Sequence, residues 1–176
     1  FLCPGHVSSV IGVDPYRPLV EQFKAPCVIA GFEPADILQG VLMLLEQIAQ
    51  GTPKVEVAYR RAVPVLGNPK AREIMGEVFE ACDAEWRGLG SLPMSGLAIR
   101  PKYRAHDASM ISVDVEPVRE NPGCSCGLVL RGMIEPKQCV LFGKVCTPDS
   151  PVGACMVSSE GSCAAAFKYG DQVEAS

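Results

Sequence analysis

Apolar positions in the first hundred residues fall into short runs and helical stripes. Cys27-Val28-Ile29-Ala30 is an unbroken apolar run closed by Gly31, the pattern of a buried strand. Beyond Phe32-Glu33-Pro34, apolar side chains recur at Ile37, Leu38, Val41, Leu42, Leu44, Leu45 and Ile48 and stop at Gly51. That spacing predicts a helix started by the proline and packed into the core. Val55, Val57 and Tyr59 alternate with Glu56 and Ala58, as a strand does. Asn68-Pro69 then offers an N-cap and a first-turn proline for a second helix through Ile74, Val78, Phe79, Cys82 and Trp86. Gly88, Gly90, Pro93 and Gly96 end that stripe, and Leu97-Ala98-Ile99 reads as a strand before a polar, irregular stretch to about Pro122. Strand–helix–strand–helix order predicts an α/β unit with parallel strands over residues 1–115.

From Glu120 the texture changes. Proline, glycine, serine and cysteine punctuate short apolar pieces such as Leu128-Val129-Leu130 and Val140-Leu141-Phe142, and no long periodic helix fits between Pro122 and Gly161. Residues 116–176 therefore read as a separate loop-rich domain that ends in a polar tail from Asp171 to Ser176. Such backbone needs something besides a large apolar core to hold it.

Composition narrows the classes. With 48% hydrophobic and 20% charged residues in 176, the chain is globular. A formal charge of −4 argues against nucleic acid as a partner. The longest aliphatic run, Val41 to Leu45, is too short for a membrane, and no secretory pattern opens the chain, so a cytoplasmic protein is expected. No phosphate-loop or dinucleotide glycine pattern occurs, which leaves a nucleotide cofactor unsupported. The nine cysteines are uneven: Cys3, Cys27 and Cys82 are scattered, whereas Cys124, Cys126, Cys139, Cys146, Cys155 and Cys163 crowd together.

Three chemistries fit that crowding. Zinc sites favour close pairs from one knuckle, but Cys124-Ser125-Cys126 is tighter than the usual knuckle and no histidine lies nearby. Disulfides need an oxidising compartment. An iron–sulfur cluster needs four thiolates that a loop-rich chain can wrap around it. Six thiols exceed the need of one cubane, and any left over can be core residues or a dithiol exchanging electrons with the cluster.

Longer motifs add a resemblance. Glu120-Asn121-Pro122-Gly123-Cys124-Ser125-Cys126-Gly127, Leu141-Phe142-Gly143-Lys144-Val145-Cys146-Thr147-Pro148 and Gly153-Ala154-Cys155-Met156-Val157-Ser158-Ser159-Glu160-Gly161 closely resemble the hydrogenase maturation family HypD. Cys3-Pro4-Gly5-His6-Val7-Ser8 and Ala30-Gly31-Phe32-Glu33-Pro34 extend the match over nearly the whole chain. The resemblance implies a [4Fe–4S] cluster on cysteines separated by fourteen, six and sixteen residues, which here are Cys124, Cys139, Cys146 and Cys163. It implies a Rossmann-like α/β portion followed by the loop-rich iron–sulfur domain. It further implies a scaffold and electron supplier, rather than a conventional enzyme, for assembling the Fe(CN)2CO centre of [NiFe]-hydrogenases. The implied partners are a HypC-type chaperone and a HypE-type cyanide donor, with transient Fe(CN)2CO iron as cargo. The family's Cys-Gly-Thr-His-Glu and Gly-Pro-Gly-Cys-Pro-x-Cys motifs do not occur in these residues, so the chain reads as a carboxyl-terminal portion lacking the iron-binding and redox-pair cysteines. The alternative is a stand-alone iron–sulfur electron carrier or redox enzyme.

Single residues complete the expectations. His6, Glu33 and Glu160 are candidate cleft residues: His6 on a Pro-Gly turn, Glu33 between strand end and helix start, Glu160 among the cysteine motifs. Capping or ordinary loop hydrogen bonding is the plainer role for each. Cys3, Cys27, Cys82, Trp86 and the Ile37–Ile48 stripe read as core. Arg60-Arg61 and the set Arg100, Lys102, Arg104 read as solvated faces.

Overall fold

The computed structural model describes residues 1–114 and 121–173, and the chain divides into two compact units, 1–79 and 80–176. The domain boundary expected at 115/116 lies outside the described residues, as do Glu120 of the first cysteine motif and the tail residues 174–176.

The first unit is built on a three-stranded parallel sheet in the order β1-β2-β3, with β1 Leu2–Pro4, β2 Cys27–Ala30 and β3 Val55–Val57. Cys3 pairs with Ile29, and Ile29 with Val57. The apolar run of β2 is there because the strand is central: Cys27, Val28 and Ile29 have no exposed surface. Burial of a Val or Ile side chain stabilises by about 1.5–3 kcal/mol. Helices α1 (Gly5–Ile11) and α2 (Arg17–Phe23) lie between β1 and β2, α3 (Pro34–Gln50) connects β2 to β3, and α4 (Pro69–Val78) follows. The α/β class and the parallel sheet are as expected.

Local signals behave as read. Pro34 opens α3, and Gly51 ends it in the left-handed conformation at φ 62°. Asn68 caps α4 by accepting the Ala71 N–H at 3.1 Å. The α3 stripe differs from expectation: Leu38, Leu42, Leu45 and Ile48 are each at least half exposed, and only Gly40 and Gln47 of this helix are buried. A three-stranded sheet is too narrow to cover every apolar side chain of a seventeen-residue helix.

The second unit begins with a hairpin, not the expected continuation of a helix. β4 (Phe79–Trp86) and β5 (Gly90–Ile99) form a two-stranded sheet joined through residues 87–89. Gly88 and Gly90 take φ of 83° and 78°, conformations that a three-residue connection demands. Cys82 and Trp86 thus lie on a strand, and Trp86 is 47% exposed instead of core, its Nε1–H donating to Ser95 Oγ at 2.7 Å. Two short 3-10 helices, Pro101–His106 and Ala108–Met110, follow. Then come α5 (Cys126–Leu130), α6 (Ala154–Val157) and α7 (Ser162–Val173), so the expected polar tail is helical as far as Val173. Among the described residues no helix is long and apolar enough to cross a membrane.

Candidate metal centre

Five of the six clustered cysteines share one centre in the second unit. Cys126, Cys146, Cys155 and Cys163 are buried with Val129, Met156 and Ala164, and Cys124 packs against them. Cys139 is also buried, at 8% exposure. Among the described residues of this unit, no polar or charged residue is buried beside the thiols. Short helices supply the framework: Cys126 opens α5, Cys155 lies in α6 and Cys163 in α7, while Cys124 and Cys139 sit in irregular backbone and Cys146 bridges to Phe142.

Backbone amides point at the sulfurs. The Val152 N–H donates to Cys146 Sγ at 3.3 Å, and the Cys155 N–H to Cys126 Sγ at 3.4 Å. Cys155 Sγ donates to Cys163 Sγ at 3.0 Å. Burial pushes the Cys155 thiol up to about 11, helped by its bond to Cys163. Burial likewise raises Cys124, Cys126 and Cys163, and neighbouring thiolates add to the rise. Cys139 runs the other way. Burial pushes it up, but the N–H groups of Ser125, Leu141 and Phe142 and the Ser125 hydroxyl together outweigh that and hold it below the ordinary thiol value.

This donor set suits an iron–sulfur cluster. It is all thiol, buried apart from the half-buried Cys124, and already provided with N–H···S bonds, the contacts that tune cluster potentials. Burial and neighbouring thiolates make the Cys124 and Cys163 thiolates costly, and a cationic metal core reverses that cost. Among the described residues, no three His, Cys, Asp or Glu side chains are placed to hold a single metal ion. Ser125 is a site residue that sequence reading missed, although it stands between the two cysteines of the first motif.

His6 and Glu33 lie in the first unit, just past the carboxyl ends of β1 and β2. His6 is on the first turn of α1, its ring centroid 5.2 Å from that of Phe32. Glu33 is the residue before α3, 76% exposed, and accepts from Arg61 at 3.3 Å. Arg61 is no solvated bystander: its guanidinium grips Asp36 with bonds of 2.8 and 2.7 Å and lies 4.4 Å over the Tyr59 ring. That arginine fork, with Asp36 only 11% exposed, is invisible to a reading of Arg60-Arg61 as a local charge run. Arg100 likewise pairs with Glu80 at 3.5 Å. Glu160 lies in the second unit on the exposed turn before α7, where its N–H donates to Ser158 Oγ at 3.2 Å. Cys3 and Cys27 are buried in the first unit as expected, and burial together with Cys27 pushes Cys3 up to about 11.

Known proteins resemble this chain closely. The family model described as HypD, "Hydrogenase formation hypA family", matches residues 1–170. The hydrogenase maturation factor HypD of Rhizobium leguminosarum bv. viciae is 50% identical over 172 residues, which cover 97% of this chain and 45% of that protein. The factor of the same name from Azotobacter vinelandii is 48% identical over 177 residues, 99% of this chain and 47% of that protein. The Rhodobacter capsulatus HypD is 49% identical over 176 residues, 97% and 47% respectively. The chain thus spans about half the length of the curated relatives it matches. With a family model covering nearly all of it, and the thiol motifs folded into one centre, the chain belongs to the HypD hydrogenase formation family.

Proposed function

We propose that this chain is the portion of a hydrogenase maturation factor that carries an electron-supplying iron–sulfur cluster. Cys124, Cys139, Cys146 and Cys163 hold a [4Fe–4S] cluster, whose chemistry when bound is one-electron transfer at low potential. Cys126 and Cys155 stand beside those four as a dithiol exchanging electrons with the cluster. One observation carries this reading: cysteines spread over forty residues of sequence converge, with Cys126, Cys146, Cys155 and Cys163 in one buried core, Cys124 against it, Cys139 near enough to act on Cys124 and Cys163, and amide hydrogens aimed at sulfur. The Fe(CN)2CO iron is cargo, assembled by the full-length protein with a HypC-type chaperone and a HypE-type cyanide donor. His6 and Glu33, at strand ends where open α/β sheets receive ligands, face that cargo or hydrogen-bond it, and Glu160 relays protons near the thiols. A cytoplasmic location suits a protein whose thiols must stay reduced.

Anaerobic reconstitution of the intact protein with iron and sulfide tests the reading. Four irons per chain and broad visible absorbance are expected, both lost in Cys139→Ser and Cys146→Ser. Full retention in both variants, or a colourless zinc protein, overturns it. Electron transfer to a generic acceptor without capture of a HypC-type chaperone favours the stand-alone carrier instead.

A further inference from the structure

A cavity of about 340 Å3 opens in the second unit where residues 87–88, 121–131 and 152–154 meet. Arg87 and Arg131 both line it, with Asn121 and the Cys124–Cys126 edge of the thiol set. None of the described residues lining it is acidic. Arg87 donates through Nη2 to the Val152 carbonyl at 3.0 Å, and Arg131 through Nε to the Gly127 carbonyl at 3.0 Å. Each bond anchors a guanidinium to rim backbone and leaves the rest of its fork as donors. Among the described residues neither arginine is ion-paired. Asn121 accepts the Gly123 N–H on Oδ1 at 2.9 Å, which makes its amide nitrogen the remaining donor. The neighbourhood thus holds two anchored positive charges and a neutral donor around a space large enough for several heavy atoms.

Guanidinium forks match carboxylate and phosphate oxygens in bidentate geometry, and a concave site of one sign concentrates counter-ions. The geometry points to a receiving site for a small organic anion, carboxylate- or phosphate-bearing, seated between Arg87 and Arg131 against Cys124 and Cys126. The chain's overall charge of −4 makes this local reversal of sign selective rather than a general property of the surface. An anion seated there covers the open edge of the thiol set and so controls which molecules reach it. That consequence rests on the proposed redox role of the thiols; the binding itself does not.

Isothermal titration of the intact protein with inorganic phosphate and, separately, with succinate tests the inference at low ionic strength, before and after iron–sulfide loading. Saturable one-to-one binding of at least one probe is expected, weakened about tenfold in Arg87→Gln and in Arg131→Gln. Arg87→Lys keeps the charge but loses the fork, so its affinity should fall between those of the wild type and Arg87→Gln. Which probe binds separates a phosphate-bearing from a carboxylate-bearing ligand. No saturable binding of either probe to the folded wild-type protein, or unchanged affinity in both glutamine variants, overturns the inference. Visible absorbance reports the cluster independently. Protein that binds the anion but takes up no iron retains this site and refutes only the cluster reading, whereas iron uptake without anion binding does the reverse.

Discussion

Cys155 donates its thiol hydrogen to Cys163 Sγ across 3.0 Å of buried core. The bond joins a proposed cluster ligand to a cysteine outside the proposed set, so distance alone does not sort ligand from neighbour. Chemistry does: a ligand must be a thiolate, whereas a donor to a thiolate can equally be a hydroxyl. Cys163→Ser is expected to lose at least half of the bound iron, while Cys155→Ser keeps four irons per chain because serine can still donate to Cys163. Iron-to-protein ratios after anaerobic reconstitution check this. Equal loss in the two variants places Cys155 among the ligands and breaks the fourteen, six, sixteen spacing.

Gly153 sets the approach of two segments to the thiols. A Cβ added there would lie 2.6 Å from Cys124 Sγ, closer than real Cβ contacts come, and a tight 3.1 Å from Cys126 Cβ. Gly153→Ala is therefore expected to displace Cys124 and cut iron uptake severalfold without removing any ligand. Gly76, within α4, has nothing within 4 Å of the point a Cβ would occupy, so Gly76→Ala should instead stabilise by about 0.5–1 kcal/mol through helix propensity alone. Iron content and urea midpoints, measured on both variants, separate the two effects. A Gly153→Ala protein with full iron content removes the steric argument.

What is legible in the sequence is local. Pro34, Gly51 and the Asn68 cap act within a few residues of themselves, and the run Cys27 to Ala30 needs only to be apolar to become the central strand. The segment from Phe79 to Trp86 has helix-like spacing yet forms a strand, because partners outside it decide its state. Asp83 accepts the Met94 N–H at 2.9 Å, and Trp86 bonds Ser95, so pairing across a turn overrides the local period. The thiol centre is legible as motifs, but Ser125 and the two cavity arginines are not. Arg87 reaches Val152 across 65 residues of sequence, a separation that no periodicity encodes.

Asp36 makes the first unit sensitive to acid. Hydrogen bonds from the Arg61 guanidinium hold its carboxyl below the ordinary value of 3.8. The folded state thus binds fewer protons here than the unfolded state, and the pair's stabilisation is complete above the unfolded value and lost as pH falls through the folded one. Hydrogen-exchange protection of the β2 amides in wild type and Asp36→Asn should differ by a constant amount near neutral pH. That difference should shrink once pH drops below about 3.8, the ordinary carboxyl value. A difference that persists unchanged into acid shows that the Arg61 fork contributes nothing through charge.

Gln47 is the buried polar residue of α3, at 2% exposure, and both ends of its amide are used. Nε2 donates to Glu56 Oε2 at 2.9 Å, and Oε1 accepts the Lys54 N–H at 2.9 Å. The side chain therefore ties the end of α3 to the start of β3. Gln47→Leu fills the space but strands one donor and one acceptor, an expected cost of about 1–3 kcal/mol. Gln47→Glu replaces the donor with an oxygen facing the Glu56 carboxylate, so the two repel when both are ionised and share a proton when one is not. Its loss of stability should be larger at neutral pH than at acid pH, because protonation relieves the repulsion. Urea unfolding at the two pH values decides, and a Gln47→Glu protein equally destabilised at both shows that the amide's packing, not its hydrogen bond to Glu56, holds helix to strand.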